Sequence, residues 1–418
     1  MTPYFHSAIF VTLLILLISC NICTFQSGIH FEKAYIILLN FMEKIFQTVG
    51  ELFCGPGGGA LGASLSSFTN NGHEYRMKHE WATDIDEDSC NTYFENIFNF
   101  EYKHFGIKVP PKVINADIND QNIDLTNPLD FPAVDGLIFG FPCNDFSVVG
   151  ESKGLNGSFG PLYKHGIKFL NRVDKPKWFI AENVSGLSSS NEGKAFEQIL
   201  SDMTGAGYQI TAHKYRFEEY GIPQARHRII IVGIKKSLGL KFDVPAPSFI
   251  TKTARAALAN IPKNALHQER TKQSKQVVER LKYIKPGENA WNADLPENLK
   301  LNVSGATLSS IYKRIDPNKP AYTVTGSGGG GTHMYHWSEP RALTNRERAR
   351  LQTFPDWFNF CGNKEKIRKQ IGMAIPPEGM KVICDALLAT LEDCSYDSVE
   401  PNINSQSQCE FNMVSDIL

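Results

Sequence analysis

The stretch TVGELFCGPGGGALG, residues 48–62, predicts the start of an α/β domain. Residues 48–53 are predicted to form a strand, and the glycines that follow lead into a helix at about residues 60–68. Glycines at such a junction let a ligand approach the backbone, and the amino end of a helix offers N–H groups to negative charge. One glycine-rich turn is weak evidence, because dinucleotide enzymes and simple turns share it.

Acidic residues follow the next two predicted strands. Asp84 and Asp86 close the second strand, and Asp117 follows the third, at residues 113–116. Acids at these strand ends suit ribose hydroxyls, although each alone could cap a helix or lie in a solvated loop. Together with the glycine-rich loop they predict a nucleoside pocket. The Gly-x-Gly-x-x-Gly fingerprint is replaced by a wider glycine cluster, which favours S-adenosylmethionine over NAD.

A candidate nucleophile lies in LIFGFPCNDFS, residues 137–147. The apolar start predicts a buried strand, and Gly140 and Pro142 then place Cys143 on a turn. A loop beyond the carboxyl end of a strand is where open α/β sheets bind ligands, and a nucleophilic thiol needs such access. The alternative is a cysteine that only fills a gap in the core.

Further charged candidates follow the later strands. Glu182 ends a predicted strand at residues 178–181 and points to the ligand edge, unless it only caps the following turn. A helix at residues 192–205 then leads to paired strands at residues 208–216 and 229–233. Arg226 and Arg228 precede the last strand.

Arginines at positions i and i+2 of an extended segment share a face. Arg226 and Arg228 could therefore clamp an anion or a carbonyl oxygen, or form surface salt bridges. His227 points the other way and receives no role.

Composition limits the classes of protein. The chain has 418 residues, of which 42% are hydrophobic and 21% charged, with a net charge of −1, so collagen-like, disordered and membrane-bundle classes are not supported. Nine scattered cysteines argue against a disulfide framework or a zinc site and favour the cytoplasm, with no metal. A polyanionic partner must therefore be sought in a local patch.

The first 46 residues differ from the rest of the chain. Residues 8–20 are apolar almost throughout, but they are fewer than the roughly 20 that span a bilayer. No Lys or Arg precedes them, as a secretory signal would require. The segment could be a weak signal or membrane anchor, an added hydrophobic helix, or upstream sequence outside the working protein, and we favour the last.

These segments, with two later ones, resemble the motifs of the DNA (cytosine-5)-methyltransferases, closest to the bacterial restriction–modification type. The matching segments are residues 52–58, 84–86, 116–118, 140–147, 182–184, 224–228, 341–355 and 370–377. They occur in the family's order from about Val49 to Leu391. Asn144 stands where the family often has Gln, and Met373 where it usually has Asn, which puts one cofactor contact in doubt.

The resemblance implies a Rossmann-like α/β sheet that binds S-adenosylmethionine, with a smaller, irregular target recognition domain. The expected divisions are an uncertain extension at 1–46, the catalytic domain at 47–244 and 336–394, the recognition domain at 245–335, and a polar tail at 395–418. Between Pro245 and Pro320 there are 13 Lys and Arg against 6 Asp and Glu, an excess that suits DNA phosphates. The glycine-rich run 326–333 is either a DNA-facing segment or a linker.

Residue roles follow from the resemblance. The expected cofactor contacts are Phe53, Cys54, Gly55, Gly57, Gly58, Asp84, Ile85, Asp117, Ile118, Pro142, Leu162, Met373 and Ala374. The expected catalytic residues are Cys143, Glu182, Arg226 and Arg228. Cys143 would add to carbon 6 of a flipped-out cytosine, Glu182 would contact N3, Arg226 would approach O2, and Arg228 would act behind it.

The expected function is methylation of carbon 5 of cytosine in duplex DNA by a monomer in the cytoplasm. A separate restriction endonuclease is the expected partner, though not as a stable subunit, and no membrane is involved. The alternatives are a tRNA cytosine methyltransferase on the same scaffold, an inactive DNA-binding homologue and, less favoured, a Rossmann dehydrogenase.

Overall fold

The computed structural model describes residues 42–141, 162–186, 193–301 and 309–403. Its largest sheet has eight strands in the order β2-β3-β1-β5-β6-β9-β7, with β4 beside β3. The strands are β1 (Glu43–Leu52), β2 (Phe68–Asn70), β3 (His73–Asp84), β4 (Lys112–Asn115), β5 (Gly136–Phe139), β6 (Trp178–Val184), β7 (Tyr208–Arg216), β8 (Gln224–Ala225), β9 (His227–Lys235), β10 (Val244–Pro245), β11 (Ala321–Tyr322) and β12 (Ser398–Val399). The short strands β8 and β11 pair with each other, as do β10 and β12.

The helices in these ranges connect or flank the strands. They are α1 (Gly58–Leu65), α2 (Glu87–Phe105), α3 (Tyr163–Leu170), α4 (Lys194–Gly205), α5 (Ala254–Leu258), α6 (Lys275–Tyr283), α7 (Asn345–Leu351), α8 (Lys364–Met373) and α9 (Pro377–Leu391). Their starts follow the usual capping chemistry: Asp86 accepts a hydrogen bond from the Ser89 N–H, and Thr344 and Glu347 form a capping box. No helix here is long and apolar enough to cross a membrane.

Strand direction brings several loop ends together. β1, β5 and β6 run parallel, with Leu52 level with Phe139 and Phe139 level with Ala181. β3 and β4 are also parallel to each other, whereas β9 runs antiparallel to β6 and β7. The segments that follow β1, β5 and β6 therefore leave the same edge of the sheet, where α/β proteins bind ligands.

Two apolar clusters pack on this sheet. One includes Phe169 of α3 and Ile199 of α4, and the other includes Ile97 of α2 and Ile371 of α8. Trp81 belongs to the first and its neighbour Ala82 to the second, as expected when successive side chains of β3 point to opposite faces. The described chain divides into a small compact unit, residues 42–45 and 69–75, and a large one with the remaining residues.

The segment from β10 to β11 departs from the strand–helix alternation, as predicted. It contains short helices and a small apolar cluster that includes Leu281, Ile284 and Tyr335. The glycine-rich run that follows is packed rather than free. A Cβ placed on Gly372 would lie 1.9 Å from the backbone N of Gly326, and the Tyr312 N–H donates to the Gly331 carbonyl at 2.6 Å.

Several predicted boundaries are wrong. β1 begins at Glu43 rather than at residue 48, and α1 ends at Leu65 because Ser66 is extended and its hydroxyl bonds back to Ala63. Glu182 lies within β6 and is not a turn cap.

The predicted tail is also ordered further than expected. β12 pairs with β10, and the Asn402 side chain bonds to His213 and to the Lys214 carbonyl, so packed chain extends to residue 403 rather than 394.

A glycine contact between α1 and α9 provides a test of the packing. A Cβ on Gly62 would lie 2.4 Å from the Pro377 carbonyl oxygen and 2.6 Å from the Met380 Cβ. We expect Gly62→Ala to lower the free energy of unfolding in urea by about 2 kcal/mol, because the helices must separate. The control is Gly205→Ala in α4, where a Cβ meets open space. An equal loss in both variants would contradict close packing at Gly62.

Candidate active site

A cavity of about 510 Å³ opens where the loops after β1, β3, β4, β5 and β6 meet. Its wall includes the glycine-rich loop, the acids after β3 and β4, the ends of β5 and β6, the Arg226 segment and α8. This volume lies within the range of small-molecule sites, and the position agrees with the predicted nucleoside pocket.

The glycine-rich loop is held in a special backbone conformation. Phe53 has a φ of 57° and Gly57 a φ of 89°, both in the left-handed region. The Cys54 N–H donates to the Thr83 carbonyl at 3.1 Å, and the Gly55 N–H donates to Asp84 Oδ2 at 2.9 Å. A left-handed phenylalanine costs about 1 kcal/mol or more, so it persists only where surrounding contacts fix it.

The three predicted acids, Asp84, Asp86 and Asp117, make different contacts. Asp84 joins two backbone segments, because its Oδ1 also accepts the Asp86 N–H at 2.9 Å. Burial raises the pKa of Asp84 above its ordinary value, against these hydrogen bonds. Asp86 caps α2, and Asp117 accepts the Asn119 N–H at 2.9 Å within its own loop. The capping alternative therefore holds for Asp86, although all three acids line the cavity.

Most of the predicted cofactor residues lie on the cavity wall. Those that line it are Phe53, Cys54, Gly55, Gly58, Asp84, Ile85, Asp117, Ile118, Leu162, Met373 and Ala374. Gly57 instead sets the turn at the start of α1. Pro142 lies outside the described residues.

The candidate nucleophile Cys143 also lies outside the described residues, and the structure fixes only the start of its loop. Gly140 and Phe141 line the cavity, and the Asn183 side chain donates to the Phe141 carbonyl at 3.1 Å. This contact ties the chain two residues before Cys143 to β6. The sequence analysis gave Asn183 no role.

Glu182 and Arg228 form an ion pair on the cavity wall. Arg228 Nε lies 2.8 Å from Glu182 Oε1, and the two side chains are 15% and 14% exposed. The antiparallel register of β6 and β9 places Val184 opposite Arg228 and brings these side chains together. A Cβ on Gly140 would lie 3.4 Å from Glu182 Oε2, so the carboxylate is next to the start of the candidate nucleophile loop.

Arg226 also lines the cavity, but it serves as a structural clamp. It is 1% exposed, and its Nη1 donates to the carbonyls of Val324 at 3.2 Å and Gly372 at 3.1 Å. Arg226 thus contacts backbone carbonyls while Arg228 contacts Glu182, although both side chains line the cavity. His227, which received no role, pairs with Glu218 at 2.7 Å on the other side.

Two buried glutamines went unnoticed in the sequence. Gln224 accepts the Val324 N–H at 2.6 Å and donates to Gln352 Oε1 at 2.8 Å. Gln352 in turn donates to the carbonyls of Ile371 and Ala374. These two glutamines join the segment that contains Arg226 to the cavity wall near α8. In the sequence, each is an amide side chain next to apolar residues of a family motif, and this was the available signal for a buried polar contact.

Glu51 on β1 was missed as well. It lines the cavity and is 3% exposed, and a carboxylate inside an otherwise apolar strand was the signal for it. No group of three or more His, Cys, Asp or Glu suited to a metal ion occurs in the part of the chain that the structure describes.

Comparison with known proteins identifies the family. The family model for C-5 cytosine-specific DNA methylases matches residues 47–389. The chain belongs to this family. It is 52% identical over 364 residues to the type II methyltransferase M.BbvI of Brevibacillus brevis, covering 85% of this chain and 94% of that one. It is 37% identical over 358 residues to the type II methyltransferase M.NgoFVII of Neisseria gonorrhoeae, covering 84% and 88%.

Solved structures confirm the fold of this methylase. A DNA modification methyltransferase encoded in an E. coli prophage matches with a TM-score of 0.62 and 24% identity, covering 83% of this chain and 99% of that one. The methyltransferase EhMeth of Entamoeba histolytica matches with a TM-score of 0.56 and 16% identity, covering 84% and 98%. The predicted Rossmann-like α/β methyltransferase fold is therefore confirmed.

The Arg226 clamp predicts a stability effect. We expect Arg226→Met to lower the free energy of unfolding in urea by about 2–4 kcal/mol, because the Val324 and Gly372 carbonyls would lose a buried donor. The control is Arg216→Met, whose side chain is 60% exposed and pairs loosely with Glu219. The control should change stability by less than ~0.5 kcal/mol. Matching values for the two variants would rule out the clamp.

Proposed function

We propose that this methylase transfers a methyl group from S-adenosylmethionine to carbon 5 of cytosine in a specific duplex DNA sequence, with Cys143 as its nucleophile. The observation that carries the assignment of roles is the layout of the cavity. Its glycine-rich loop and acids lie on one part of the wall, and the Glu182–Arg228 pair lies beside Gly140, three residues before Cys143 in the sequence. One cavity can thus hold a nucleoside cofactor and a pyrimidine.

The residues present fit S-adenosylmethionine. Open space surrounds the position of a Cβ on Gly55, so a ligand can lie against this backbone. The wall contains the carboxyl groups of Glu51, Asp84 and Asp117, which suit ribose hydroxyls and positive charge. When bound, the cofactor supplies an electrophilic methyl carbon. We assign its binding to the thirteen cofactor residues expected from the sequence, with Gly57 acting through the turn.

The protein side of the chemistry begins at Cys143. Its thiolate adds to carbon 6 of cytosine, which makes carbon 5 nucleophilic enough to accept a methyl group. Glu182, beside Gly140, is placed to hydrogen-bond the ring at N3. After transfer, the C5 proton leaves to a base or water, and the thiolate departs. Because the target carbon is hidden in a duplex, the base must first flip out, at a cost of about a few kcal/mol.

The contacts favour an exchange of roles between the two arginines. The sequence analysis placed Arg226 at the O2 carbonyl and Arg228 behind it. The Nη1 of Arg226 is occupied by two backbone carbonyls, whereas Arg228 reaches the cavity beside Glu182. We therefore assign Arg228 to O2 and Arg226 to holding α8 and the Val324 segment in place.

We further propose that residues 245–335 form the target recognition domain, between the catalytic parts at 47–244 and 336–394. Its excess of 13 Lys and Arg over 6 Asp and Glu supports contacts with DNA phosphates. A buried arginine braces its start, because Arg346 of α7 donates to the Leu266 carbonyl at 3.1 Å. The names of the type II relatives support a cognate restriction endonuclease as the partner. We also propose that this chain acts as a monomer in the cytoplasm.

The alternatives are not favoured. The family model describes a cytosine-specific DNA methylase, and relatives such as M.BbvI are named as type II methyltransferases, so a tRNA substrate has less support. Glu182 and Arg228 are present and paired, which argues against an inactive homologue.

Trapping on modified DNA tests the nucleophile. We expect the purified protein with S-adenosylmethionine to form a stable covalent adduct with duplex DNA that carries 5-fluorocytosine at its target site, because fluorine blocks the final elimination. Cys143→Ser should abolish both the adduct on a denaturing gel and methyl transfer. The control is Cys394→Ser, a cysteine that bonds to the Glu392 carbonyl away from the cavity. An adduct that persists in Cys143→Ser would move the nucleophile elsewhere.

Salt dependence tests the recognition domain. Lys263, Lys272 and Lys275 are exposed. Replacing all three by Ala should weaken DNA binding and lower the slope of log K against log salt by about 2–3, roughly one unit per lost phosphate contact. The affinity for S-adenosylmethionine should not change.

The matched control replaces Lys103, Lys108 and Lys236 by Ala. These exposed lysines lie at the ends of α2 and β9 that face away from the cavity edge of the sheet. An equal loss of slope in both triple variants would contradict the placement of the DNA on residues 245–335.

A further inference from the structure

Glu51 is a buried carboxyl group on the wall of the cofactor cavity. It lies in β1 and is 3% exposed. A Cβ on Gly59 would lie 3.1 Å from Glu51 Oε1, so the carboxyl group is beneath the first turn of α1. Its Oε2 makes no hydrogen bond of ordinary geometry within the ranges that the structure describes, although the Tyr93 hydroxyl interacts with this carboxyl group and opposes the rise of its pKa. A buried, unpartnered carboxyl oxygen is costly, and its presence in a binding cavity calls for a ligand.

The groups around Glu51 leave it without a fixed positive partner. His79 on β3 faces it, but the His79 ring is held by Glu101 of α2 at 2.9 Å. Tyr93 on α2, Cys54 in the glycine-rich loop and Cys384 on α9 also face it.

Burial raises the pKa values of Tyr93, Cys54 and Cys384 well above their ordinary values, so these three groups are neutral. Asp84 adds negative charge on the cavity side, opposed there by Lys369 of α8.

This environment sets the protonation of the Glu51 carboxyl group before a ligand binds. Burial raises the pKa of Glu51 to about 7, with the Asp84 charge adding to the rise and His79 and Tyr93 opposing it. Asp84 is unlike Glu51, because its oxygens already accept the Gly55 and Asp86 N–H groups. Near neutral pH, the Glu51 carboxyl group can therefore change its charge when a ligand arrives.

We propose that the Glu51 carboxyl group receives the positively charged tail of S-adenosylmethionine and releases its proton to solvent when that tail binds. The inference rests on the proposed use of this cofactor, which carries an ammonium and a sulfonium group. The O–H bond of Glu51 breaks, the proton passes to the buffer, and the carboxylate remains beside the ligand. Glu51 is thus a binding residue that couples cofactor affinity to pH.

The sign of the coupling follows from the charges. A cation within about 4–6 Å lowers the pKa of a carboxyl group by about 1–3 units, which takes a group near 7 below neutrality. Binding thus favours the ionised form, so affinity is full above pH 7 and falls as the pH drops below it. The ammonium group of the cofactor, an ordinary α-amino group with a pKa near ~8, stays mostly protonated between pH 6 and 7.

Titration calorimetry of the full chain with S-adenosylmethionine tests the coupling. At pH 7, measurements in buffers of different ionisation enthalpy should give release of about half a proton per cofactor, because a group with a pKa near 7 is half protonated there. The affinity should rise about fivefold from pH 6 to pH 7. In Glu51→Gln, we expect neither proton release nor this rise.

The matched control is Glu182→Gln, which changes another glutamate on the same cavity wall but at the end beside Gly140. It should release the same fraction of a proton as the unmodified chain. S-adenosylhomocysteine distinguishes the two cationic groups of the ligand. S-adenosylhomocysteine keeps the ammonium group but lacks the sulfonium charge. If it causes the same proton release as S-adenosylmethionine, the contact is with the ammonium group; if the release is lost, the contact is with the sulfonium.

Three results would overturn the inference. One is proton release by Glu51→Gln equal to that of the unmodified chain, and another is binding by the unmodified chain without proton release at pH 7. If Glu51→Gln does not fold, as judged by circular dichroism, the pH series on the unmodified chain decides alone. Proton release should rise as the pH falls from 8 through 7 and reach its maximum at about pH 5.5–6.5, midway between the pKa values of the free and the bound carboxyl group. Absence of any cofactor binding would instead refute the proposed use of S-adenosylmethionine, and the inference with it.

Discussion

The active cavity depends on the parallel register of β1, β5 and β6. Because Leu52, Phe139 and Ala181 lie level across the sheet, the segments that follow these strands leave it side by side. The glycine-rich loop and the start of the Cys143 loop consequently share one cavity with Glu182, although they are far apart in sequence. A shift of one residue in any of these strands would turn its side chains to the opposite face and remove the functional groups from that edge.

Buried polar side chains fix the remaining wall. Gln224 and Gln352 bond to each other and to backbone groups near α8, and Arg226 adds two bonds to the same region. Such satisfied networks in a low-dielectric interior specify one arrangement, because each broken bond leaves a costly unpaired group. The last motif of the family is held beside the cavity in this way. Of these three side chains, only Arg226 was a catalytic candidate in the sequence, and its burial supports a structural role instead.

The cavity also separates two kinds of electrostatic environment. Around Glu51 and Asp84, buried carboxyl groups create a wall that suits a cation, and burial raises the pKa of both groups. Around Glu182, the carboxylate is already paired with Arg228 at 2.8 Å. A cationic methyl donor and a neutral pyrimidine ring call for such a division, because the donor needs negative charge nearby while the ring needs directional hydrogen bonds.

The sequence by itself determined the order of strand, loop and helix and the placement of acids and glycines at strand ends. These features are local, since they follow from side-chain periodicity and backbone preference within a few residues. Tertiary structure alone decided that Arg228 pairs with Glu182 while Arg226 bonds to two backbone carbonyls, that Glu51 faces the cavity, and that residues 395–403 pack on the body. The partners of these groups come from elements more than 25 residues away in the chain, as Arg226 and Gly372 show with a separation of 146. Local pattern carries no information on such pairings, because packing and burial select them only when the whole chain is folded.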